Sequence, residues 1–160
     1  MVSSSLVKKS FYYVFRSLCY HESTLMPPDL TRLETEAMRM LLDGEDPVLT
    51  ILRAQYDHSC VKTREYTGVG FYTRFSVPET VPRVTSRKSF TFDDVHAEIE
   101  GLESGACFML LISDGVIDFL EGAAYGESWP SQSEHFTFTY ISKGQRDMDT
   151  LRKEWTDGRT

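Results

Sequence analysis

The chain has no apolar run long enough to cross a bilayer: its longest, such as Ala106 to Ile112, fall far short of the roughly 18 residues a spanning helix needs. It has only three cysteines, Cys19, Cys60 and Cys107, an odd number without paired spacing, a usage that a reducing compartment tolerates better than a secreted one. A reducing compartment, the cytoplasm, is expected. Named catalytic motifs are missing too. There is no Gly-x-Ser-x-Gly elbow, no Cys-x-x-Cys and no His-Glu-x-x-His. Gly68-Val69-Gly70 lacks the third glycine and the following helix of a phosphate-binding loop, so no cofactor is implied. The sharpest absence is of positive charge: between Ser89 and Ser142 there are ten acidic residues and no lysine or arginine. Affinity for phosphates comes from cations that release counterions, so nucleic acid is not expected as a partner.

What is present is the mixture of an ordinary globular protein, 41% hydrophobic and 26% charged in 160 residues, enough to bury one core. The net charge is −7, but it is uneven: Lys8, Lys9 and Arg16 meet only Glu22 in the first 25 residues, leaving −9 on the remainder. Residues 1–25 also lack the unbroken apolar stretch and small-residue site of a signal peptide, because Arg16 cuts the run after Phe15. They are expected to be an N-terminal extension, loosely docked or poorly ordered, with one domain over residues 26–160.

From Pro27 the apolar period is helical. Thr31-x-x-Glu34 is a capping-box pattern, Leu33, Ala37, Met38, Leu41 and Leu42 fall on one stripe, and Gly44 is a stop. Asp46-Pro47 then supplies an N-cap and a first-position proline for a second helix through Tyr56. After Cys60 the period becomes two, predicting strands over Val61–Thr67, Val69–Val77, Val95–Gly101, Ala106–Ser113, Val116–Glu121 and His135–Ile141. Asp114-Gly115 is a hairpin turn, Pro78 to Lys88 and Gly122 to Pro130 are loops, and Gln145 to Trp155 is a short helix. The expected fold is α+β: an N-terminal helical hairpin packed on an antiparallel sheet of five to six strands containing a meander, with a short C-terminal helix. Cys107, inside an apolar strand, reads as core.

His96, Glu98 and Glu100 sit at i, i+2 and i+4 and so share one face of a strand. Imidazole beside carboxylates suits zinc, iron or manganese, with Asp118 or Glu121 from a neighbouring strand completing a set, or an acid/base pair. The ordinary reading is the wet side of a half-exposed strand, and no metal is expected. Tyr125 and Trp129, in the loop from Glu121 to Pro130, offer rigid amphipathic contact area to a partner; equally, Trp129 folds back to cap the end of the sheet.

The segments Thr63-Arg64-Glu65-Tyr66-Thr67-Gly68-Val69-Gly70-Phe71-Tyr72-Thr73 and Glu121-Gly122-Ala123-Ala124-Tyr125-Gly126-Glu127-Ser128-Trp129-Pro130, with the meander around His96 to Glu100, resemble a family of small uncharacterised bacterial proteins. The resemblance covers about residues 29 to 141, leaves the first 25 residues outside, and implies a fold without implying catalytic residues.

Two functions are weighed. The first is a non-enzymatic interaction domain of the partner-neutralising, immunity-protein sort, meeting a basic protein through an acidic sheet face (His96, Glu98, Glu100, Asp118, Glu121) and the Tyr125–Trp129 loop. The second is a small metal-dependent or acid/base hydrolase using His96, Glu98 and Glu100. The last strand, His135 to Ile141, is apolar and short of charge, so a homodimer through it is a further expectation.

Overall fold

In the computed structural model, which describes residues 29–156, chain direction changes at each point where the local chemistry demands it. Thr31 accepts from the Glu34 N–H at 3.2 Å while the Glu34 carboxylate accepts from the Thr31 N–H at 2.6 Å. This reciprocal cap starts helix α1, Arg32–Leu41. Asp46 accepts from the Val48 N–H at 2.8 Å and, with Pro47, starts α2, Pro47–Asp57. Gly44 between them has φ +122°, and a Cβ there would lie 2.8 Å from the Met148 sulfur, so the turn needs glycine for both reasons.

Six strands follow: β1 Cys60–Tyr66, β2 Gly70–Ser76, β3 Phe90–Ile99, β4 Ala106–Ser113, β5 Val116–Ala124 and β6 Phe136–Tyr140, before helix α3, Met148–Thr156. They form one antiparallel sheet in the order β1-β2-β5-β4-β3-β6. The expected α+β fold, with its N-terminal helical hairpin, meander and short C-terminal helix, is what is observed. Asp114 and Gly115, both at positive φ (51° and 75°), make the tight β4–β5 turn, the backbone twist that a two-residue hairpin loop requires. Among the described residues no helix is long and apolar enough to cross a membrane. The expected N-terminal extension lies outside the described residues.

The three helices of the described residues meet the same side of the sheet. Glu34 of α1 bonds Thr73 of β2, Tyr56 of α2 packs edge-on against Phe75, and Trp155 of α3 packs against Phe90 and Phe92 of β3. These strand residues belong to one alternating set that also includes Val95, Ala97, Phe108, Leu110 and Leu120, all fully buried in a contiguous core. Polar groups caught in this layer are paired. Gln55, fully buried, donates to the Pro82 and Gly115 carbonyls at 2.8 and 2.9 Å and accepts from the Ile117 N–H at 3.0 Å, tying the 77–89 connection to the β4–β5 turn.

Among the differences from the sequence reading, three change what the strands present on each side. β3 begins at Phe90 rather than Val95, because a register shift between Phe92 and Val95 sets two residues, Asp93 and Asp94, opposite the single Met109 of β4 and breaks the period of two. β5 runs on to Ala124: Gly122 is a strand residue, since a Cβ there would lie 2.6 Å from the Phe71 ring and 3.0 Å from the Phe108 ring. Cys107 is half-buried and on the side of β4 away from the helices, not in the core, because its alternating neighbours Ala106 and Phe108 take the core side.

Candidate functional site

Alternation along each strand places a second set of side chains on the face that carries no helix among the described residues. Its centre is apolar. From β4 come Cys107, Met109 and Leu111, and opposite them on β5 stand Ala123, Glu121 and Phe119. The rings of Tyr72 and Phe119 meet edge to face at 5.4 Å, and the Arg74 guanidinium lies 5.0 Å above Phe119 while pairing with Asp118 at 2.9 Å. Cys107, Met109, Leu111, Phe119 and Tyr72 are half-buried, although nothing in the described structure covers them.

Around this centre lie carboxylates: Glu65 on β1, Glu121 and Asp118 on β5, Glu98 and Asp93 on β3. Asp93 belongs here because its charge acts on Cys107 and Tyr125. Glu121 accepts a hydrogen bond from the Tyr72 hydroxyl, which raises the Tyr72 pKa above the usual phenol value. Among the face residues named, the single cation is Arg74, already engaged with Asp118.

One corner is built more closely. His96 of β3 is the register partner of Cys107, and the Tyr125 ring, from the segment after β5, stacks on His96 with centroids 5.6 Å apart and planes 22° apart. Gly105, at φ +72°, leaves the room: a Cβ there would come within 2.9 Å of His96 Nε2. Burial raises the Cys107 thiol pKa, partly offset by its hydrogen bond with Tyr125. Burial likewise raises the Tyr125 phenol, followed by the influence of Cys107. The loop carrying Tyr125 is fixed by Glu127, whose carboxylate accepts from the Glu103 and Ser104 N–H groups at 2.8 Å each and is thereby held below the usual carboxylate range.

His96 and Glu98 share the open face as their i, i+2 spacing implied, and Glu121, Asp118 and Tyr125 join them there, Asp118 through the register shift that breaks the period of two in β5. Glu100 does not continue the row. It lies in the turn after β3, largely exposed, with its carboxylate 4.0 Å from His135 Nε2. Trp129 turns to the helix side, where it meets Phe71 at 5.2 Å and Phe108 at 6.5 Å and closes the end of the core, its backbone N–H donating to the Gly68 carbonyl. Tyr125 and Trp129 thus serve different faces. Among the described residues no three His, Cys, Asp or Glu side chains are grouped as a metal ion requires.

Sequence reasoning missed the apolar centre, although β4 carried a signal for it. Its run Ala-Cys-Phe-Met-Leu-Leu-Ile is apolar at both parities, the pattern of a strand buried on both sides, yet among the described residues only one side receives helices. No family model, no curated protein and no solved structure matches the chain.

Proposed function

We propose that the protein is a non-enzymatic binding domain that engages a basic protein surface with the open face of its sheet. One observation carries this reading: the apolar strip Met109, Leu111 and Phe119 faces away from every described helix, and carboxylates surround it. An apolar centre with a charged rim is the anatomy of a protein interface, where desolvation of the centre supplies affinity and the rim supplies orientation and on-rate. The sign of the rim selects the partner. With Arg74 neutralised by Asp118, the field over β3, β4 and β5 is negative, which draws a surface rich in lysine and arginine and repels nucleic acid. The corner of His96, Tyr125 and Cys107 adds a rigid aromatic step at one margin; its raised thiol pKa supports a contact role over a nucleophilic one.

The test is capture of partners from a lysate of the native organism by immobilised protein, at low and high salt, with wild type compared against Glu98→Lys/Glu121→Lys. Glu154→Lys on the helix side is the control. Retention of a basic protein that is lost on charge reversal of the face and at high salt, and kept in the control, is expected. Capture that ignores the face variant overturns the reading.

A further inference from the structure

The two edges of the sheet differ. β1 is blunted in the ways natural edges are: a register shift between Val61 and Thr63 with Lys62 inside it, and charged Arg64 and Glu65 beyond. β6 has none of these devices. Its five residues, Phe136-Thr137-Phe138-Thr139-Tyr140, contain no charge, proline or bulge.

Hydrogen bonding gives the edge its polarity. Glu100 N–H donates to His135 and Ile141 N–H donates to Asp94, so odd-numbered residues of this strand face β3 and the N–H and C=O groups of Phe136 and Phe138 face outward. Arg32 caps the approach at one end, donating to the Glu134 carbonyl at 2.8 Å and covering the Phe136 ring at 4.8 Å. Beside the strand, α1 and β6 enclose a groove of about 440 Å³ lined by Arg32, Glu36, Arg39, Met40, Phe136 and Phe138.

We propose that β6 pairs with β6 of a second copy of this chain, across a two-fold axis at Phe138, to make one continuous sheet through a homodimer. The identity of the occupant comes from the strand's own pattern. Aromatic-Thr-aromatic-Thr-aromatic reads the same in both directions. An antiparallel copy centred on Phe138 therefore sets Phe138 against Phe138, Phe136 against Tyr140, and Thr137 against Thr139 at every level, the aromatic and threonine pairs that favour strand association. A two-fold interface requires such self-complementarity, and a foreign strand does not. Thr137 and Thr139 lie on the open face, so the dimer doubles the extent of that face without covering its acidic centre.

Light scattering on the purified full chain over about a hundredfold dilution tests this. A wild-type dimer is expected, whose mass halves in Thr137→Lys/Thr139→Lys, because the two-fold axis brings the lysines face to face; these exposed sites leave the core untouched, and an unchanged circular dichroism spectrum checks that the variant folds. Independently, Thr137→Cys/Thr139→Cys under mild oxidant is expected to give a reductant-sensitive covalent dimer several-fold above wild type, since directly opposed positions of this type lie within disulfide reach. A wild-type monomer at all concentrations overturns the proposal, as does a dimer that neither the lysines disrupt nor the cysteines trap. Both readouts are independent of the basic partner.

Discussion

Removing the Arg64 side chain is expected to be the costliest single surface-strand change, because it uncovers a carboxylate that the fold has buried. Glu34 is only 2% exposed, and Arg64 bonds it with two nitrogens, at 2.8 and 2.7 Å, while also donating to the Asp29 carbonyl. Breaking a buried pair by deleting one member typically costs about 3–5 kcal/mol, since the remaining charge stays desolvated. Arg64→Ala is placed at the lower end, about 3 kcal/mol, because the Thr31 N–H and the Thr73 hydroxyl still donate to the carboxylate. For a chain of this length that corresponds to a fall in Tm of about 6–12 °C. Urea unfolding followed by circular dichroism measures it, with an unchanged m-value certifying that only stability has moved. Glu34→Gln/Arg64→Met, which removes both charges and keeps an amide at the cap, is expected to recover more than half of the loss. A penalty below about 1 kcal/mol for Arg64→Ala, the range of exposed pairs, would refute the assignment of this pair as a buried clamp between α1 and the β1–β2 hairpin.

Three further outcomes follow from the same structure. Gly115→Ala meets both a φ of +75° and the Val84 carbonyl 2.3 Å from the new Cβ, so it is expected to lower stability by about 2 kcal/mol or more in chemical denaturation, against near neutrality for substitution at the open Gly126 only where the residue tolerates positive φ, such as Asn. Tyr140 is raised to about 12 by burial, ahead of the neighbouring Asp43 charge. The folded state therefore holds its proton longer than the unfolded state, so this contribution to stability is complete below about pH 10 and is lost as pH rises towards about 12; Tyr140→Phe should flatten that decline in denaturation curves taken across the window. Glu121→Gln removes the charged acceptor of the Tyr72 hydroxyl, and ultraviolet titration should show one phenol ionising at lower pH than in wild type.

The features legible in the sequence are those decided within a few residues. Thr31 with Glu34, Asp46 with Pro47, and Asp114 with Gly115 each satisfy their own backbone groups, so residue type alone located two helix starts and a hairpin. What escaped depends on residues distant in the chain. Gly122-Ala123-Ala124 has poor strand propensity and reads as loop, yet it is strand because the Phe71 and Phe108 rings need the space that glycine leaves. The Asp93–Asp94 bulge hid the start of β3, and its Asp94 is held by Arg146 through two bonds at 2.6 and 2.7 Å from a segment some fifty residues on. The candidate face shows the same division. Spacing placed His96 with Glu98, but only topology brings β5 between β2 and β4, and so brings Glu121, Phe119 and Tyr72 to the apolar strip. Glu100 left the row because the turn after β3 claimed it, whereas Trp129 folds back to close the end of the core, one of the two readings its sequence context allowed.

The most direct measurement is carboxyl footprinting of the protein free and bound to its captured basic partner, read residue by residue by mass spectrometry. Loss of labelling at Glu98, Glu121 and Asp93, with Asp149 and Glu154 on the helix side unchanged, is the predicted result. Protection concentrated on the helix side, with the β3–β5 carboxylates as reactive as in the free protein, would contradict the account.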